Sequence, residues 1–330
     1  MLFEHSKFFV GFIGIIYLFV TKTKSVKYIY LILLTTLLFQ NIVGISQFFT
    51  SISPVGYVNQ PYSQDIEENI PLLRIGGLPG RNNIHAFIIL IQSILVLPYV
   101  AQLGGWLLNI TVFLSMTNLI LSQSRTAWLG IVIVIAYIFV VQGNEAKKFV
   151  LTLVRGKRLY RVVLLILSAF LIMLPRLQAS SLFFTKEGGG TLRKKMLLEG
   201  WQLLQESPLV GFGVANSVKV FIDNYSKSYA ATFPFTIHFT FLQIALESGI
   251  PGVIFFFLPF LVFLIKYARL PKHQKGYSKR MLLCALCIII ILFVNSSLQP
   301  SLGMLEFYLI GIALGSGVFS LSKINPKIYP

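Results

Sequence analysis

Long stretches of mostly apolar residues, separated by short basic clusters, constrain this chain more than any other feature. A helix crosses the hydrocarbon core of a bilayer in about 20 residues. Stretches of that kind lie near 28–48, 83–103, 105–122, 126–142, 162–179, 281–298 and 302–320. A shorter one occupies 8–20, and a longer one, 238–265, reads as a helix that starts above the membrane or is tilted. The apolar blocks predict an all-α fold: a polytopic membrane helical bundle of about nine spans, formed as one transmembrane domain over 1–330. The composition agrees. Hydrophobic residues make up 55% of the chain and charged residues 12%, against about a quarter charged in soluble domains. No repeat of solenoid length is present, so a solenoid is excluded.

The net charge of +17 does not mark a nucleic-acid binder, because the basic residues cluster between apolar blocks. Lys and Arg in short loops are retained in the cytoplasm. Three such residues lie in 21–28, six in 143–161, six in 266–280 and two in the tail after 320, with Glu145 the one acid among them. With nine spans, all four segments fall on one side, which is then cytoplasmic. The amino terminus and segment 176–237 fall outside. The expected location is the plasma (inner) membrane, multi-pass, with the large loop 176–237 extracytoplasmic. The run Phe8–Val20 lacks a strongly basic start and a small-residue cleavage site, so it reads as a short first span rather than a signal peptide.

The loop holds one strong helical pattern, TLRKKMLLEGWQLLQE over 191–206, with Thr191 placed to cap it. On a wheel stepped at about 100° per residue, Leu192, Leu203 and Met196 share one sector. Leu204, Leu197 and Trp201 extend the apolar arc, and Glu199, Glu206, Lys195 and Gln202 gather opposite. This is an amphipathic helix lying on the membrane or on the spans. Arg193 falls inside the apolar arc, where a charge needs an anionic partner or a bound anion. Its planar fork suits phosphate oxygens. The competing reading is a side chain whose long stem snorkels out of the first turn, and periodicity leaves the two even. Lys194 and Lys195 form a solvated rim that attracts phosphate. The segment SPLVGFG, 207–213, ends this helix and turns the chain.

Arg125, in LSQSRTAWLG, opens the fifth span on the outer side, against the topological bias. An interfacial charge of this kind is a functional candidate, weighed against a headgroup anchor beside Trp128. His238, in TIHFTFLQIALESGIPG, opens the seventh span at the same interface, and neutral imidazole can take a proton near neutral pH. On one continuous helix Glu247, nine residues on, faces away from it and serves a neighbour within the bundle. The segment RIGGLPGRNNIHAF, 74–87, has the Gly and Pro of tight turns. It places Arg74 and Arg81 outside, with Asn82 or Asn83 as a helix cap.

Other chemistries lack their residues. There is no phosphate-cradling Walker pattern and no nucleophile elbow. The histidines at 5, 85, 238 and 273 are scattered, without metal-ligand spacing. Cys284 and Cys287 lie three apart in an apolar run and suit neither a disulfide nor a metal site. No metal and no cofactor are expected.

Several of these motifs together resemble the O-antigen ligases. His238–Phe239, nine residues, then Gly249–Ile250–Pro251–Gly252 resembles the family signature of His, then Asn, Ser or Gln, nine residues, Gly, two residues, Gly. It departs at Phe239, where a polar residue is expected, which counts against a strict ligase. Arg193 to Gly213, with Trp201 and the Pro208–Gly213 turn, is similar to the family's large-loop pattern. Ser124–Arg125 looks like its Ser–Arg span start, and Arg74–Asn83 like its Arg, Gly, Pro–Asn segment. The likeness runs from about residue 70 to 265.

The resemblance implies a metal-independent membrane glycosyltransferase of cell-surface polysaccharide or lipopolysaccharide synthesis, acting as ligase or polymerase. Its partners would be a glycan donor on undecaprenyl pyrophosphate, a sugar or glycolipid acceptor, and membrane lipid. Arg125 and Arg193 would neutralise the departing pyrophosphate, with Arg74, Arg81 and Lys194 helping to bind the donor. His238 would act as general base or orient the acceptor. Family members have more spans and a cytoplasmic start, and against that pattern the chain reads as lacking one or more amino-terminal helices.

Two other classes compete. A transporter or flippase of anions or lipid-linked sugars predicts ionisable residues deep in the spans, where the sequence offers few, Glu306 among them. A purely structural membrane subunit leaves Arg193 unexplained.

Overall fold

The computed structural model describes residues 26–50, 75, 77–79, 82–142, 171, 189–213, 216–224, 237, 239–267, 277–298 and 309–317. Among them all regular structure is helical. The named helices are α1 (Val26–Thr50), α2 (Asn82–Leu103), α3 (Gly105–Ser122), α4 (Arg125–Gln142), α5 (Gly189–Glu206), α6 (Ser217–Asn224), α7 (Thr240–Tyr267) and α8 (Tyr277–Ser296). Residues 309–317 are helical as well.

Five of these, α1, α2, α3, α7 and α8, are long and apolar enough to cross a membrane. Within α4 a shorter apolar helix, Arg125–Val140, joins them. The chain is thus a multi-pass helical membrane protein. Six of the nine expected spans fall on these helices, with ends that differ by a few residues. Those expected at 8–20 and 162–179 lie outside the described residues, apart from Leu171, as does all of 302–320 outside 309–317.

Burial separates a central helix from a peripheral one. The most apolar window of α2 is 72% buried, whereas that of α7 is 17% buried. Both are apolar nearly all round, so the difference is in what surrounds them: protein for α2, lipid for α7. Around α2 pack α1, α3, α4 and α8. Its Ile88, Ile89, Ile91 and Leu95 are sealed in one cluster with Leu37, Leu119, Ile288 and Leu292. Some polar side chains in this layer find partners within the protein, as hydrocarbon favours. The Gln92 amide donates to the Leu33 carbonyl at 2.8 Å, and the Tyr30 and Ser316 hydroxyls meet, tying 309–317 to α1.

Two local expectations need correction. Helix α5 begins at Gly189, so Thr191 lies inside it and is not its cap. The first four N–H groups of a helix have no partner within it, so two glycines can join the first turn at little cost. Nor does the seventh apolar block form one continuous helix. α7 is broken at Gly249, whose φ of 73° and ψ of 175° are non-helical.

Candidate functional site

The short turn between α3 and α4 makes the first part of the site. Gln123 takes the left-handed conformation, φ 50°, and its N–H bonds back to the Ile120 carbonyl. Ser124 then caps α4: its Oγ accepts from the Ala127 N–H at 3.5 Å, and its carbonyl accepts from Trp128. Arg125 is therefore the first residue of α4, half-buried, with no acidic residue in that turn. A cation at a helix amino terminus opposes the helix dipole. Its position there is unfavourable for the helix by itself.

Beside this turn lies a buried polar cluster that sequence reasoning passed over. His85, in the first turn of α2, is fully buried. Its Nε2 lies 3.1 Å from Asn118 Oδ1 of α3. The Asn118 amide donates to the Asn41 carbonyl of α1 at 2.9 Å, and the Asn41 amide donates to Ser115 Oγ at 3.2 Å. The imidazole is wedged between two glycines. A Cβ on Gly44 would overlap Asn118 and approach His85 Nε2 to 2.9 Å, and one on Gly77 would overlap the ring.

Gly77 also has φ 57°, so the 77–79 turn needs glycine twice over. The turn is clamped by Gln47: its amide donates to the Gly77 carbonyl at 3.0 Å and its oxygen accepts from the Gly77 N–H at 2.8 Å. Flanking residues bond to the end of α3, Ile75 N–H to the Leu121 carbonyl and the Asn82 side chain to the Ser122 carbonyl, both at 3.4 Å. The sequence signal was available: a histidine within an apolar run needs partners. The tight-turn reading of 74–87 holds for 77–79. The Asn82 amide reaches across to α3.

The second part of the site is helix α5, docked on the start of α7. Met196, Leu203 and Leu204 pack with Phe221, Ile237, Leu242, Ala245 and Leu246. A Cβ on Gly200 would stand 2.8 Å from Ile237 and 2.9 Å from Leu242, so the glycine sets how closely the two helices approach. Segment 207–213 then meets α7 at its break. In an unbroken helix Leu246 would receive the Ile250 N–H, and Glu247 would receive that of residue 251, which is a proline without one. Instead Phe212 N–H donates to Leu246 at 2.7 Å, Gly213 N–H to Glu247 at 3.0 Å, and Ile250 N–H to Pro208 at 2.8 Å. Three backbone bonds thus satisfy the groups that the break releases. The Glu247 carboxylate accepts from Ser217 Oγ at 3.0 Å and from the Gln243 amide at 3.3 Å, so it serves neighbours, as expected from sequence.

Both parts lie at one end of the bundle. Gly130, a little over one turn below Arg125, faces Ile291 of α8, and Phe293 of α8 stacks with Phe241 of α7 at 6.3 Å. Arg125, the end of α8 and the start of α7 with its docked α5 therefore share a level. Of the candidate residues, Arg125 and Arg193 are half-buried and both engage neighbouring groups. Lys194 is exposed. His238, Arg74 and Arg81 lie outside the described residues. The neighbours of His238 are well held: Ile237 is buried against α5, and Phe239 N–H bonds to the Ile237 carbonyl at 2.8 Å. Among the described residues no group of three His, Cys, Asp or Glu side chains could hold a metal. A cavity of about 170 Å³ between α2, α3 and α4 is lined by apolar residues such as Leu90, Met116 and Val134, and neither arginine contributes to it.

The fold defines a polytopic helical membrane protein. Residues 110–257, from within α3 to beyond the break in α7, match the family model Wzy_C, described as O-antigen ligase. No curated protein matches the chain. The match agrees with the resemblance read from the motifs, and it spans Arg125, Arg193 and His238. It supports a membrane glycosyl-transferring role in polysaccharide biosynthesis, with lipid-linked glycan and acceptor partners of the general kind that such ligases use.

Proposed function

We propose that this protein transfers a glycan from undecaprenyl pyrophosphate to a sugar hydroxyl at the outer face of the plasma membrane, as a ligase or a polysaccharide polymerase. The carrying observation is that the matched segment 110–257 encloses Arg125, Arg193 and His238, while Arg193 is half-buried on a helix packed against α7. The acceptor oxygen bonds to the anomeric carbon as the bond from that carbon to the phosphate oxygen breaks. The electron pair leaves with the diphosphate, whose charge Arg125 and Arg193 stabilise. The acceptor proton passes to His238. Arg74, Arg81 and Lys194 hold the donor headgroup. Charge stabilisation of a departing oxyanion is a large catalytic term, and a general base contributes about 10²–10⁴-fold. The scheme assigns no step to a metal.

The test is transfer of a labelled glycan from its lipid carrier in membranes carrying Arg125→Ala, Arg193→Ala or His238→Ala, each checked for insertion. Loss of transfer in all three is expected. Unchanged transfer in all three would refute the assignment, and movement of solute without a covalent product would favour a transporter. In a deletion strain, accumulated lipid-linked polymer identifies a ligase, and single repeats alone identify a polymerase.

A further inference from the structure

Helix α5 has three faces where its sequence pattern predicts two. Stepping at about 100° per residue, the sector that contains Met196, Gly200, Leu203 and Leu204 is buried against α7. Gln202, Lys195 and Glu206 form a polar, exposed sector. Between them, on the far side of Arg193, lies a third sector with Leu198 and Trp201 each 56% exposed and Leu197 at the limit of exposure. Leu197 and Trp201 continue the apolar arc read from the sequence, and the spans cover only the part of it that holds Met196, Leu203 and Leu204.

This uncovered face continues along the molecule. Leu209 and Val210, in the turn after α5, are 71% and 77% exposed. Both sit beside the break in α7: the Val210 nitrogen is 2.9 Å from the position a Cβ would take on Gly249, and the Pro208 carbonyl accepts the Ile250 N–H. Below the break, Ile250, Ile254 and Phe255 are exposed on α7, a helix long and apolar enough to cross a membrane. The exposed apolar surface of the loop is thus continuous with the lipid-facing stripe of a span. A patch of this kind is rare on a surface that meets water.

The geometry points to membrane lipid as the occupant: α5 and the 207–210 turn rest in the interfacial layer of the leaflet at the Arg125 end of the bundle. The side chains suit that depth. Trp is the residue of choice at headgroup level. Lys194, exposed within the same sector, has a stem long enough to lie along acyl chains with its ammonium among lipid phosphates. Arg193 falls within the sector that packs on α7, between Gly200 and Leu204, and is half-buried. The inference holds whichever activity the protein has.

Fluorescence of the full chain tests it. Trp106→Phe and Trp128→Phe leave Trp201 as the one indole of three. In phosphatidylcholine vesicles, lipid brominated near the carbonyl end of its chains should lower Trp201 emission about twofold, and lipid brominated near the methyl end should lower it less. Quenching by aqueous acrylamide with no effect of either bromolipid would overturn the inference. A second measurement avoids the tryptophans. In a Cys284→Ala, Cys287→Ala background, Leu209→Cys should react several-fold more slowly with an impermeant maleimide than Gln202→Cys, on vesicles with that face outward. Equal rates would overturn it.

Discussion

The α-carbon of Gly249 lies against the carbonyl of Leu209 so closely that a side chain at 249 would overlap that oxygen. Its φ of 73° is also one that L side chains rarely adopt. Gly249→Ala should therefore destabilise the protein by about 2–4 kcal/mol. A fall in thermal stability in micelles, read by release of Cys284 and Cys287 to a thiol dye, would measure it. Amide exchange at Phe212, Gly213 and Ile250 should rise in the same variant. Unchanged exchange there would contradict the described joint.

The His85 cluster makes a separate prediction. Gly44→Ala forces a methyl into Asn118 and toward His85 Nε2, and should cost about 1–3 kcal/mol. Gln47→Ala removes both bonds to Gly77 and should free the 77–79 turn without that overlap. Limited proteolysis near residue 77 should accelerate in Gln47→Ala. Equal cleavage in wild type and variant would show that the clamp is not needed.

Glu247 joins α7 to the start of α6 through Ser217. Glu247→Gln keeps an acceptor and should leave α6 protected. Glu247→Ala should loosen it by about 1–2 kcal/mol, visible as faster exchange over Ser217–Asn224. If Glu247→Gln loosens α6 as much as Glu247→Ala does, the charge rather than the hydrogen bond holds it.

Under the proposed function, removing either arginine should lower glycan transfer by about 10²–10³-fold. Lysine at either position retains charge but not the two-pronged donor, so Arg125→Lys and Arg193→Lys should recover only part of the rate. Full recovery would assign both side chains to general electrostatic attraction. Single-turnover transfer separates the chemical step from donor binding.

The membrane class and the helices over six of the apolar blocks were legible because burial in lipid leaves a direct compositional record. The ends of α2 and α3 follow the apolar blocks almost residue for residue. The break in α7 was harder to read. Pro251 and Gly249 signal it, but proline within spans is common when neighbours re-satisfy the freed groups, and here the neighbour is a turn some 40 residues earlier. The His85 cluster depends on Gly44, Gly77 and Asn118, which are distant in sequence, so local periodicity has no access to it. Sequence left open whether α5 lies on the membrane or on the spans for a related reason. A helical wheel separates apolar from polar positions, but does not tell an apolar side chain that meets protein from one that meets lipid. Arg125 and Arg193 stood out in sequence because each contradicts a simple rule, of topology in one case and of amphipathicity in the other.

The joint between the 207–213 turn and α7 is made of peptide groups, and peptide groups are common to every residue except proline. Most side chains along the turn can therefore drift through evolution without loosening it, provided that Gly249 and Gly211 keep their lack of a side chain. Variation at Leu209 and Val210 would register in how the turn meets its surroundings while the attachment itself persisted. The same scaffold could in this way be retuned to membranes of different composition.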